Sequence, residues 1–132
     1  MVSQLERGVT LIVDRYAYSG VAYGMTKGLD GAWAKAADVG LPCPDRTFFM
    51  DITPDKAAQR GEYGAERYEH IAFQMQTYTH FQQLAPTIKE WQAIPADRSV
   101  EEVHHDIRRS VDAVLSTIEN GAAGPIRHDL FR

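Results

Sequence analysis

Asp14 and Arg15 stand side by side directly after the apolar run Val9-Thr-Leu-Ile-Val13. The planar fork of an arginine binds two phosphate oxygens at once. An aspartate in such a position serves Mg²⁺ directly or through a water. Ligands of open parallel sheets sit outside the carboxyl ends of the strands. Adjacent residues at a strand end point to opposite sides, so one can face a metal or water while the other faces a second ligand. The plainer alternative is an ion pair that caps the sheet.

Three other groups of residues could carry chemistry. Arg60-Gly-Glu-Tyr-Gly-Ala-Glu-Arg67-Tyr68 places glycines between arginines. That pattern suits a lid closing over phosphates and excluding water; the alternative is an exposed loop with solvated charges. Tyr16, Tyr18 and Tyr23 cluster after the Asp-Arg pair, and such rings stack nucleobases or fill cores. The histidines carry less. His104 and His105 are adjacent on a helix, so their side chains diverge by roughly 100°, and His70, His80 and His128 share no ligand spacing. Cys43 is the only cysteine, which rules out an internal disulfide and a zinc site of the usual kind; a reducing compartment is the simple reading.

The elements that must position these residues follow from pattern. Residues 3–7 resemble one helical turn stopped by Gly8. Residues 9–13 have no polar alternation except Thr10, which predicts a strand covered on both faces. Helices are expected over 17–27 and over 30–37, the second with Asp30 as N-cap. Two prolines within Gly40-Leu-Pro-Cys-Pro-Asp45 make that segment a loop. Thr47-Phe-Phe-Met-Asp-Ile52 reads as the second strand. Thr53-Pro54 then opens a short helix ending near Arg60. Residues 66–84 form a long helix with Tyr68, Ile71, Ala72, Met75 and Tyr78 at apolar spacing, and Trp91-Gln-Ala-Ile94 is a third strand. Ser99 with Glu102 forms a capping box ahead of the stripe Val100, Val103, Ile107, Val111, Val114, Ile118. The tail 119–132 reads as loop. Strands alternating with helices give a parallel α/β sheet.

The chain has 132 residues, 44% hydrophobic and 24% charged, with a net charge of −4. This fits one domain. The acidic balance argues against a general nucleic-acid binder, whose footprint is a basic face. No apolar stretch approaches the ~20 residues that span a bilayer. An intracellular, cytoplasmic protein without nucleic-acid or membrane partners is expected.

Val13-Asp-Arg-Tyr-Ala-Tyr-Ser-Gly-Val-Ala-Tyr23, Asp38-Val-Gly-Leu-Pro42, Pro44-Asp45 and Ala57-Ala-Gln-Arg-Gly-Glu-Tyr-Gly-Ala-Glu-Arg-Tyr-Glu69 together resemble the thymidylate kinase family, in its eukaryotic type, from residue 4 to about residue 118. The resemblance implies a three-layer parallel α/β fold of the P-loop nucleoside monophosphate kinase type. It implies transfer of the γ-phosphoryl group from ATP-Mg²⁺ to dTMP, giving dTDP, by a homodimer when complete. Arg15 would hold the dTMP phosphate, and Asp14 would reach Mg²⁺ through water. Ser19, Gly20 and the Tyr23 ring would line the thymidine pocket, where most relatives carry phenylalanine at the last position. Tyr68 would contact the deoxyribose. Arg60 would lie against adenine, Arg67 would belong to the lid of residues 60–68, and Ala96-Asp97 would border the adenine. Pro95 and Asp97 stand where relatives often have Asp and Ser. The lid carries no further Lys or Arg, which matches the subgroup whose catalytic arginine lies in the phosphate-binding loop.

That loop, Gly-x-x-x-x-Gly-Lys-Ser/Thr, occurs nowhere in the 132 residues. Its backbone N–H groups, lysine and hydroxyl cradle the ATP phosphates. The expectation is therefore an incomplete fold: residues 1–132 are the C-terminal part of a single domain, with the acceptor and lid half of the site and negligible turnover alone. In the family's sheet the strand before that loop lies between the strands at 9–13 and 47–52, so unpaired edges are expected here. The alternative is a non-catalytic short variant that binds or dimerises with a full-length kinase.

Overall fold

The structure, a computed structural model, describes residues 1–60, 67–122 and 124–132, with the side chains of 67–70 left out. The chain forms two compact units, Met1–Pro44 with Gly124–Arg132, and Asp45–Ala123.

The first unit is helical. Helix α1 spans Val2–Glu6, α2 spans Ala17–Thr26 and α3 spans Gly31–Ala36. Asp30 caps α3, its carboxylate accepting from the Trp33 N–H at 2.9 Å. Helices α2 and α3 meet at Gly24, where an added Cβ would stand 3.4 Å from that of Ala34. The core of the unit is the inner face of α2: Tyr18 is 5% exposed, and Val21 and Ala22 are fully buried. Leu130 joins them from the far end of the chain at 2%. Glu119 still belongs to a helix; beyond it the described residues of the tail form no helix or strand, yet they are not a free loop. The Gly40 N–H donates to the Leu130 carbonyl at 3.0 Å, and the Cys43 N–H to the Arg127 carbonyl at 2.8 Å.

One expected element is absent. Residues 9–13 form no strand and are not covered: Ile12 is 98% exposed, and Val9 and Val13 are also exposed. A strand exists through its ladder, and no described segment supplies one to this run, so apolar character alone leaves it open.

The second unit holds the sheet. Strand β1 spans Thr47–Asp51 and β2 spans Trp91–Pro95. They pair in parallel, with Thr47 opposite Trp91 and Asp51 opposite Pro95. Helix α4 spans Pro54–Ala58, α5 spans Arg67–Leu84 and α6 spans Val100–Glu119, with a 3₁₀ turn at Ala85–Thr87. The crossover through α5 joins two parallel strands, the βαβ arrangement such pairs require. Phe49 anchors α5 to the sheet, its ring 5.2 Å from Phe81, 6.2 Å from Tyr78 and 5.0 Å from Trp91. The helix stripe expected from sequence is met in part. Tyr78 packs inward and Ile71 is half-buried, but Ala72 and Met75 are exposed and the buried Thr77 and Leu84 lie outside the stripe; the side chain of Tyr68 lies outside the described residues. Polar and apolar residues are mixed all round α5, and its contact with Phe49 decides which face turns in. Helix α6 opens on the expected capping box between Ser99 and Glu102. It lies on β2 through Val103 and through Ser110, whose hydroxyl donates to Gln92 Oε1 at 2.6 Å.

The parallel strand pair with crossover helix is the expected α/β architecture in reduced form, two strands among the described residues.

Candidate functional site

In the first unit, Arg15 has φ 62, a left-handed backbone that costs a non-glycine residue about 1–2 kcal/mol. Such strain persists where surrounding structure over-determines it. Here the chain turns from the apolar run 9–13 into α2, with Tyr16 as N-cap. The turn lays the guanidinium of Arg15 over the Tyr23 ring, 4.6 Å from its centroid. Tyr23 is one α-helical turn beyond Ser19, so both lie on the flank of α2 beside its buried face, and Gly20 is exposed. Arg15, Ser19, Gly20 and Tyr23 are thus gathered on one end of one helix. Asp14 is exposed at the start of the same turn.

Tyr16 fixes that turn. Its hydroxyl donates to the Pro42 carbonyl at 3.0 Å. Burial pushes its phenol up from the ordinary value, with Asp38 and Cys43 adding to the rise. The Cys43 thiol is likewise pushed up, by burial and then by its hydrogen bond to Asp129 Oδ1 at 3.0 Å. It is therefore a poor nucleophile.

In the second unit a second group converges at the carboxyl ends of β1 and β2. The ladder runs one bond past β2, the Ala96 N–H donating to the Asp51 carbonyl at 2.9 Å. Asp97 meets the ammonium of Lys56 on α4 at 2.5 Å. This hydrogen bond and charge hold the Asp97 carboxyl below its usual range. Arg60, just past α4, donates to the Arg98 carbonyl at 3.0 Å. Arg98 in turn bonds the Pro95 carbonyl and the Asp106 carboxylate. The segment 95–98 is thereby tied to β1, to α4 and to α6. Beside it is a cleft of about 220 Å³ lined by Asp51, Ile52, Thr53, Lys56, Tyr78, Pro95 and Asp97. Tyr78 donates to Asp51 Oδ1 at 2.7 Å; that bond, then burial, raises its phenol above the ordinary value.

Arg60, Ala96 and Asp97 lie near one another at the carboxyl ends of the strands, Arg60 through its bond to the Arg98 carbonyl. Residues 61–66 lie outside the described residues, as do the side chains of Arg67 and Tyr68, whose backbone opens α5. Sequence reasoning missed Asp51, Lys56 and Tyr78. Asp51 had a readable signal, since it ends an apolar strand just before the helix start at Thr53-Pro54, the same pattern that drew attention to Asp14. Tyr78 follows from register: Phe49 and Asp51 share a strand face, and Tyr78 and Phe81 share the helix face that covers it. Among the described residues, no three His, Cys, Asp or Glu side chains could hold a metal between them. None of the described helices is long and apolar enough to cross a membrane.

The family model for thymidylate kinase matches residues 1–107. The chain belongs to the thymidylate kinase family. It is 44% identical over 128 residues to thymidylate kinase of Danio rerio, covering 96% of this chain and 60% of that protein. Against thymidylate kinase of Homo sapiens the identity is 45% over 119 residues, 88% of this chain and 56% of the relative. Against that of Arabidopsis thaliana it is 46% over 111 residues, 84% and 41%. The chain thus spans about half the length of the curated relatives it matches. Membership implies the P-loop nucleoside monophosphate kinase fold, and the parallel β1–β2 pair with its crossover helix is consistent with part of it.

Proposed function

We propose that this chain carries the acceptor and lid half of a dTMP kinase site and does not turn over alone. The observation that carries the reading is the Arg15–Tyr23 pair: a strained arginine is delivered to an aromatic ring on the helix that also presents Ser19 and Gly20. The guanidinium covers one face of the ring, 4.6 Å from its centroid, so a cation and an aromatic ring, the two groups that suit the phosphate and the base of a pyrimidine nucleoside monophosphate, stand within reach of one another. The ring offers a stacking face for the base, and the guanidinium offers a bidentate partner for its phosphate.

In the complete reaction a phosphate oxygen of dTMP attacks the γ-phosphorus of ATP. The bond from that phosphorus to the β–γ bridging oxygen breaks, and dTDP and ADP result. The loose transition state asks the protein for positioning and charge stabilisation. Arg15 orients the attacking phosphate and offsets its charge. Ser19, Gly20 and the Tyr23 ring hold the thymidine, with Tyr68 against the deoxyribose. Arg60 and the Ala96-Asp97 segment border the adenine, and Arg67 belongs to the lid that excludes water. Asp14 suits an outer contact to Mg²⁺, because it is an exposed lone carboxylate and Mg²⁺ keeps several waters and relies on substrate phosphates for direct ligands. When bound, that ion neutralises charge developing on the β- and γ-phosphates. The motif that cradles those phosphates does not occur within these 132 residues, so turnover is not assigned to them alone.

Calorimetry with dTMP and thymidine tests the reading. Binding that favours dTMP in the wild-type chain, and loses that preference in R15A, supports it. Equal binding of dTMP by wild type and R15A overturns it.

A further inference from the structure

The segment 127–132 lies beyond the residues matched by the family model, and the structure gives it a defined seat. Its main chain is bonded at two points to the 40–43 loop, through Gly40 to Leu130 and Cys43 to Arg127. Asp129 accepts from the Cys43 thiol at 3.0 Å. Between these ties Leu130 is driven into the core, 2% exposed. Phe131 then takes a left-handed backbone, φ 59. For a bulky aromatic this is a genuine outlier, sustained only by strong local determination. Its ring meets Tyr18 of α2 edge to face, with centroids 5.5 Å apart at 82°. The ammonium of Lys35 on α3 stands 5.7 Å from the same ring centroid.

Tyr18 shares the buried face of α2 with Val21 and Ala22, whereas Ser19, Gly20 and Tyr23 lie away from it. The ring of Phe131 therefore grips α2 from behind the surface that would receive the acceptor. We propose that Phe131 and Leu130 are positioning residues for α2: a strap that fixes the helix rotation at which Ser19, Gly20 and Tyr23 face the acceptor and Arg15 reaches over Tyr23. The acceptor part of this inference rests on the dTMP reading above. Phe131 touches no substrate in this role. It acts through Tyr18, and the strain at residue 131 is the cost of aiming the ring there.

Hydrogen exchange and dTMP titration on the full 132-residue chain, as wild type, F131A, F131L and F131W, test the strap. An edge-to-face aromatic contact is worth enough for a several-fold effect. F131A should speed exchange of the α2 amides several-fold and weaken dTMP binding by a similar factor. The α6 amides should be unchanged. F131W should restore both, and F131L, which keeps apolar contact without the ring edge, should fall between. If F131A unfolds the whole chain, the graded difference between F131L and F131W decides the matter. Faster α2 exchange in F131A with no dTMP binding by wild type would keep the strap and overturn the acceptor reading. Binding of dTMP by wild type with α2 exchange and affinity unchanged across all three variants would overturn the strap and leave that reading standing.

Discussion

The guanidinium carbon of Arg15 lies 4.6 Å from the centroid of the Tyr23 ring, and the backbone that delivers it has φ 62. Eight residues apart, the two are joined by a turn that the chain forms against its own preference. Cation and ring face attract by roughly 0.5–1 kcal/mol at an exposed site, too little to offset the backbone cost by itself. The Tyr16–Pro42 hydrogen bond and the docking of α2 supply the rest of the constraint.

Substitutions at position 15 separate backbone from side chain. R15A keeps the strained φ and loses the ring contact and, on the proposed reading, the phosphate contact. Its dTMP affinity should fall by roughly 10- to 100-fold, the range of a charge-assisted hydrogen-bonded contact, with little change for thymidine. R15G relieves the left-handed strain, so it should unfold at higher denaturant than R15A by an amount equal to about 1 kcal/mol. Equal stability of the two variants would show that the turn is not strained.

The Tyr78–Asp51 bond makes part of the second unit base-labile. The Tyr78 phenol is raised in the fold by its bond to Asp51 and by burial. A folded pKa above the unfolded one means that the contribution is whole below the ordinary tyrosine range near 10 and is lost as pH rises through the folded value. Absorbance titration at 295 nm should show Tyr16 and Tyr78 ionising above the ordinary tyrosine range, and Y78F should remove one of these late steps. Y78F should also cost about 1 kcal/mol at neutral pH, the net worth of one hydrogen bond.

Asp97 gives the opposite sign. Its carboxyl is lowered by Lys56, so the contribution of this pair is present above the ordinary aspartate range and lost as pH falls through the folded value, below about 4. Proton-resolved titration should place Asp97 below a typical aspartate in wild type and return it toward normal in K56A. The pair is exposed, so added salt should narrow the difference.

Within these 132 residues Ile12 is 98% exposed in an apolar run. Ile12→Asp should leave the unfolding midpoint within about 0.5 kcal/mol of wild type while reducing self-association in light scattering, because exposed apolar runs promote association. A loss of several kcal/mol would place Ile12 in a packed core and contradict the structure.

Much of this was legible locally. Asp30 capping α3, Pro54 opening α4 and the Ser99–Glu102 box are decided by a few neighbouring residues, and each element begins where those residues place it. What required partners was not legible. Residues 9–13 have strand composition but no ladder among the described residues. The inward face of α5 is chosen by Phe49 rather than by its own mixed pattern. The tail looked free because its contacts, Arg127 with Cys43 and Phe131 with Tyr18, join residues more than 80 positions apart. At the site, Arg15 could be singled out by type, whereas its seat over Tyr23 depends on a backbone conformation that no spacing rule predicts. Lys56 became visible only through the fold that brings it to the ends of the strands, and Tyr78, legible as a stripe residue, shows its bond to Asp51 only there.

Isothermal titration of the purified 132-residue chain with dTMP, thymidine and ATP-Mg²⁺, with a coupled assay for dTDP on the same sample, tests the half-site directly. The geometry predicts that dTMP binds more tightly than thymidine and that dTDP formation is negligible with ATP-Mg²⁺ present. Indistinguishable binding of dTMP and thymidine, or turnover by this chain alone, would contradict it.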